Sequence, residues 1–106
     1  PKILKEVKYI VEGLRSDKKT QRGLEAMLDQ TMDSVMSRLR AEFPSWKEDD
    51  ILLFCFTAAG FSSTTISALM GKEKSVIYNR VWRLKGRISA SDSPQKEFFL
   101  SALEKK

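Results

Sequence analysis

The stretch GFSSTTISALMGKEKSVIYNRVWRLKGRI, Gly60 to Ile88, decides how the chain folds. Ser62 is placed to cap a short helix running to Met70, and Ile66, Leu69 and Met70 give that helix one apolar side. Gly71 marks a turn. Beyond it Ile77, Val81, Leu84 and Ile88 recur at spacings of four, three and four, the inner face of a second helix over about 74–88. Two helices joined in this way predict a helix-turn-helix.

The second of these helices carries the charge of the whole molecule. The chain has 19 Lys and Arg against 14 Asp and Glu, a net charge of +5. Five basic residues, Lys74, Arg80, Arg83, Lys85 and Arg87, lie between Lys74 and Ser91 with no acid among them, so the remainder of the chain is balanced. A field localised on one helix attracts a polyanion, whereas scattered charge would favour only solubility. The plainer reading of the same residues is a solvated helix face.

Upstream, Phe43 and Pro44 close a preceding helix, because the residue before proline is pushed out of the α region. Ser45 and Glu48 have capping-box spacing, and Asp49 and Asp50 suit the positive end of a helix dipole. A helix is therefore expected from Trp46 or Lys47 to Ala59, ended by Gly60. Its interior, Ile51 to Phe56, is apolar nearly all round, which marks the centre of the core. Cys55 in that run reads as small buried filler. Earlier still, Leu24, Leu28, Thr31, Val35 and Leu39 follow heptad spacing, widened by Met27, Met32 and Met36 as packing residues. They predict one long helix, either a hairpin partner packed on the rest or a self-association seam. Before it, Ile3, Val7, Ile10 and Leu14 form another stripe, separated by the polar run SDKKTQ, Ser16 to Gln21.

Downstream, SASDSP reads as a linker, with Ser93 and Pro94 at the start of a last helix bearing Phe98, Phe99, Ala102 and Leu103. The paired phenylalanines need cover from the domain or from a second copy. The expected fold is all-α: two N-terminal helices, as hairpin or coiled coil, then a helix-turn-helix bundle and a C-terminal helix. Residues 1–43 read as a helical connector or dimerisation region and 44–106 as the helix-turn-helix domain.

Composition closes off several chemistries. With one Cys and no His there is no His/Cys zinc site, no Ser-His-Asp triad and no intramolecular disulfide. The glycine-rich phosphate loops are missing as well. No enzyme, cofactor, metal site or small-molecule ligand is expected. The apolar run from Ile51 to Phe61 is too short to span a bilayer, and nothing resembles a signal peptide. Pro1 in place of Met reads as a piece of a longer polypeptide.

Trp46 to Ile88 resembles the LuxR-type helix-turn-helix, whose pattern runs L-T-x-R-E-x-E-V-L, then G-x-S-N-K-E-I-A-x-x-L, then T-V-K-x-H-x-x-x-I-x-x-K-L. Gly60, Ser62, Ile66 and Met70 fall on the middle block, and Ile77, Leu84, Arg87 and Ile88 on the last. The form GFS…VYNR..RL, with Ile77 in place of the V, is similar to the terminal DNA-binding domain of bacterial regulators that carry tetratricopeptide repeats. Departures are Lys47, Lys72, Glu73 and Val76 at the pattern's Thr, Ile, Ser and Thr, and Tyr78 and Arg80 at its Lys and His. The family's base preference therefore does not carry over. The resemblance implies a cytoplasmic transcription-regulator module that binds double-stranded DNA as a homodimer, with RNA polymerase a candidate protein partner and the parent chain open to membrane anchoring.

On that reading Lys74, Ser75, Tyr78 and Asn79 probe base edges from the first turns of the helix, while Arg80, Arg83, Lys85 and Arg87 hold phosphates. Trp82 is read as packing against the C-terminal helix in preference to DNA contact. A helical module that docks on a partner protein without reading DNA is the alternative, motivated by the heptad seam and the Phe98–Phe99 pair. RNA binding by the basic helix is weaker, because the aromatic sheet and G-x-x-G loop of common RNA modules are missing.

Overall fold

The computed structural model describes residues 18–104. Among them are six helices and no strand: α1 (Lys18–Thr31), α2 (Val35–Glu42), α3 (Glu48–Ala58), α4 (Ser63–Met70), α5 (Lys74–Ala90) and α6 (Lys96–Glu104). The protein is all-α, as its patterning predicts. The stripe of Ile3, Val7, Ile10 and Leu14 lies outside the described residues.

The all-round apolar sequence of α3 is the centre of the core. Ile51, Leu53, Phe54, Cys55, Phe56 and Ala58 are all buried, and α2, α5 and α6 pack around them. Gly60 ends α3 at φ 88°. The Phe61 amide donates to the Phe56 carbonyl and the Gly60 amide to that of Thr57, while the Phe56 and Phe61 rings stack 5.9 Å apart. That combination is a Schellman stop with its hydrophobic contact. Ser62 then caps α4 as expected, its Oγ accepting from the Thr65 amide at 3.2 Å.

Two expectations about α3 and its predecessor need correction. The Ser45–Glu48 capping box is not formed: Lys47 is the N-cap, it supplies no side-chain hydrogen bond, and Glu48 is already the first helical residue. Its carboxylate turns to Arg40 instead. The run SDKKTQ does not separate helices along its whole length either, since Lys18 to Gln21 are the first residues of α1. None of these is Gly or Pro, so polarity alone could not break the helix.

The long heptad helix is also overturned. It breaks at Asp33 and Ser34, both left-handed with φ of 59° and 60°, although neither is glycine. Asp29 explains why the break holds: its Oδ1 accepts from the amides of Met36 at 2.7 Å and Ser37 at 3.2 Å, at the start of α2. Ser34, the residue in cap position, makes no such bond. A carboxylate on α1 thus satisfies the orphan donors of α2 and suits its dipole. With the chain turned here, Leu28, Val35, Met36 and Leu39 all enter the core that α3 centres, while Met27 is left exposed.

Arg40 ties α1, α2 and α3 together. Its Nε and Nη2 donate to both oxygens of Glu25 on α1, and its Nη1 and Nη2 to both oxygens of Glu48 on α3. Hydrogen bonding to Arg40 holds the Glu48 carboxyl below its ordinary value of 4.5. At the other end of the molecule α6 is pinned by Phe99, which is fully buried against the Phe54 and Phe43 rings. Phe98 lies beneath the Arg38 guanidinium, 3.8 Å from its ring centre. Within one copy of the chain Phe99 is therefore covered and Phe98 partly so.

Candidate nucleic-acid interface on α5

The turn that positions α5 is Gly71, Lys72 and Glu73. Gly71 takes φ 63°, which a side chain would strain, and the Lys72 amide reaches back to the Ser67 carbonyl at 3.0 Å. Glu73 stands at the N-cap of α5 in extended conformation, without a side-chain capping bond. Lys72 and Glu73 therefore occupy the short connection without preventing it. Ile77, Leu84 and Ile88 are buried against α3, α4 and α6, which fixes the rotation of α5 about its axis. The opposite arc must then face outward.

Ser75, Tyr78 and Asn79 lie on or beside that arc, and Lys74 is open as the first residue of the helix. Lys74, Ser75, Tyr78 and Asn79 are all exposed, Tyr78 by 59%. Arg83 is exposed and Lys85 partly so. Arg80 is half-buried, and its Nη1 is a fully buried polar atom without a hydrogen-bond partner. Arg87 is the least free of the set: its Nη1 donates to Asp50 Oδ2 at 3.1 Å, and its guanidinium lies 4.8 Å over the Trp46 ring. The eight residues share one helix, but the structure divides them. Lys74, Ser75, Tyr78, Asn79 and Arg83 stand open and Lys85 partly so, while Arg80 is half-buried and Arg87, though exposed, is paired with Asp50.

Trp82 is the residue whose reading changes. Its side chain is 77% exposed, so it does not pack on the C-terminal helix as its size suggests. Four large hydrophobic side chains are exposed among the described residues, and three of them, Val76, Tyr78 and Trp82, are on α5. Helical spacing carried the signal. Trp82 is offset by two residues from Leu84 and by five from Ile77, which puts it far from their face and beside Ser75, Asn79 and Gly86.

A separate cleft between α1, α2 and α3 is lined by Lys18, Arg22, Glu25, Arg40, Glu48 and Asp49. Its charges are mixed, and Arg40 already pairs with both of its glutamates. Among the described residues no three acidic or cysteine side chains are grouped to hold a metal, and no helix is long and apolar enough to cross a membrane. Comparison of the chain with family models, curated proteins and solved structures finds no match.

Proposed function

We propose that this chain is a duplex-DNA-binding module in which α5 enters the major groove, as the LuxR-type resemblance of its sequence implies. One observation carries the reading. The helix bearing the whole net positive charge has no acidic residue and keeps its outward arc open, while its apolar face is anchored in the core. Lys74, Ser75, Tyr78 and Asn79 then face base edges from the N-terminal half of the helix. Asn79 is suited to bidentate contact with adenine. Arg83 and Lys85 hold phosphates on either flank, with Arg80 and Arg87 available to them by rearranging their present contacts.

Such a module serves a transcription regulator, and one helix-turn-helix reads too few base pairs to select a genomic site, so we place it in a homodimer on two half-sites. The dimer contact lies outside the heptad seam, because Leu28, Val35 and Leu39 are buried in the monomer. Their burial, with that of Phe99, leaves less apolar surface for the alternative, a protein-docking module that does not read DNA. A cytoplasmic site of action and contact with RNA polymerase belong to the same reading.

Titrating a fluorescent duplex with the chain at several salt concentrations tests it. Neutralising about four phosphates gives a slope of log affinity against log salt of roughly −3 to −4. A flat response would sink the DNA reading. Asn79→Ala should lose affinity chiefly for the preferred site, and Arg83→Ala for all duplexes alike.

A further inference from the structure

An indole left open to water contributes little to folding, yet Trp82 stands on the outward arc of α5, 77% exposed, with Tyr78 one turn before it at 59%. By helical spacing its neighbours on the α5 surface are Asn79 three residues earlier, Lys85 three later and Gly86 four later. Gly86 is itself exposed, and a Cβ there would meet nothing within 4 Å. Arg83 and Lys85 flank Trp82 along α5 and Lys74 opens the same helix, which has no carboxylate to offset their charge. The occupant that fits is a polyanion displaying a small apolar group.

Duplex DNA offers one such group in its major groove, the C5-methyl of thymine. A single strand stacking its bases fits less well, since it needs a groove to track the backbone and α5 presents a convex ridge. Asn79 points to the same base pair from a different chemistry. Its amide matches the N6 and N7 edge of adenine, and Trp82 follows at i+3 on the same side of the helix. Resting on the DNA reading above, we propose that Trp82 covers thymine methyl groups and makes this module select A·T pairs opposite the third turn of α5.

The test compares binding of the 106-residue chain to an alternating dA-dT duplex and to its dA-dU counterpart at one salt concentration. The two differ by the methyl group and keep the same charge and hydrogen-bonding edges. The thymine duplex should bind more tightly, by about fourfold for each methyl covered. In Trp82→Ala the ratio should fall to one while binding to both duplexes persists through Lys74, Arg83 and Lys85. Far-UV circular dichroism should show that variant folded, because the side chain it removes is exposed. A ratio of one in the wild-type chain overturns the proposal but leaves the DNA reading standing. A ratio retained in Trp82→Ala also overturns it, assigning the preference to duplex shape or another residue. Tighter binding to oligo(dT) than to either duplex overturns it in favour of single-strand stacking. Failure to bind any duplex at low salt removes the DNA reading, and this proposal with it.

Discussion

Arg87 and Asp50, on α5 and α3, join the two helices by a single contact at 3.1 Å from guanidinium Nη1 to carboxylate Oδ2. The pair is 37 positions apart in the chain. It fastens one of the five basic residues of α5 to the domain and places a negative charge beside the proposed DNA surface. Asp50→Asn removes that charge and frees Arg87 for phosphate. Duplex affinity should rise, and the salt slope should steepen by about one. The stability lost should be small, about 0–1 kcal/mol, because Arg87 is 49% exposed and the pair is solvent-screened. Unchanged affinity in Asp50→Asn would mean that Arg87 takes no part in binding.

The Arg40 fork predicts an acid-dependent loss of stability. Because hydrogen bonding to Arg40 lowers the Glu48 carboxyl from 4.5, the folded state holds this group ionised more strongly than the unfolded chain does. The stabilisation is complete above 4.5 and is lost as pH falls through the folded value. Glu48→Gln should therefore unfold at lower denaturant than the wild type at pH 7, with the gap closing under acid. Arg40→Ala should lose more at neutral pH, since it leaves the Glu25 carboxylate, 15% exposed, without its fork. Urea midpoints across the acid range decide both; a gap for Glu48→Gln that is constant with pH would refute the linkage.

Asp29 should be worth more than its exposed neighbours on α1. It caps α2 through two amides, and removing a cap costs about 0.5–2 kcal/mol. Asp29→Ala should show that loss, and Asp29→Asn should recover part of it because its carbonyl oxygen still accepts. This contact also shows why the break at Asp33 and Ser34 was hidden in the sequence. The heptad of Leu24, Leu28, Thr31, Val35 and Leu39 is intact as a pattern, no Gly or Pro interrupts it, and the capping residue precedes its helix by several positions. The stops at Gly60 and Gly71 and the cap at Ser62 were legible because each acts within one turn of its own residue. Arg87 with Asp50, and Arg40 with its two glutamates, depend on chain segments that no local pattern brings together. Trp82 was legible from its helical angle, and treating a large aromatic as core obscured it.

Cys55 should be inert in the folded protein. It is 1% exposed, and burial pushes its thiol up to about 12. A thiolate reagent at mildly alkaline pH should modify it only as fast as the domain opens. Rapid labelling under native conditions would show that the core around α3 opens locally.

Gly86 offers a test in which stability and binding move in opposite directions. It sits inside α5, exposed, on the arc that carries Asn79 and Trp82, and a Cβ there would meet nothing within 4 Å. Glycine in a helix interior costs about 0.5–1 kcal/mol relative to alanine, so Gly86→Ala should raise the denaturation midpoint. Gly23 on α1 is equally unobstructed and away from the α5 surface, which makes Gly23→Ala the control with a similar gain. If DNA lies close against α5 in its third and fourth turns, the added methyl at residue 86 should weaken duplex binding while the one at residue 23 leaves it unchanged. Calorimetry and duplex titration on the two variants separate the effects. Equal affinity in both would show that the DNA contact ends before Gly86 and is confined to the N-terminal turns of the helix.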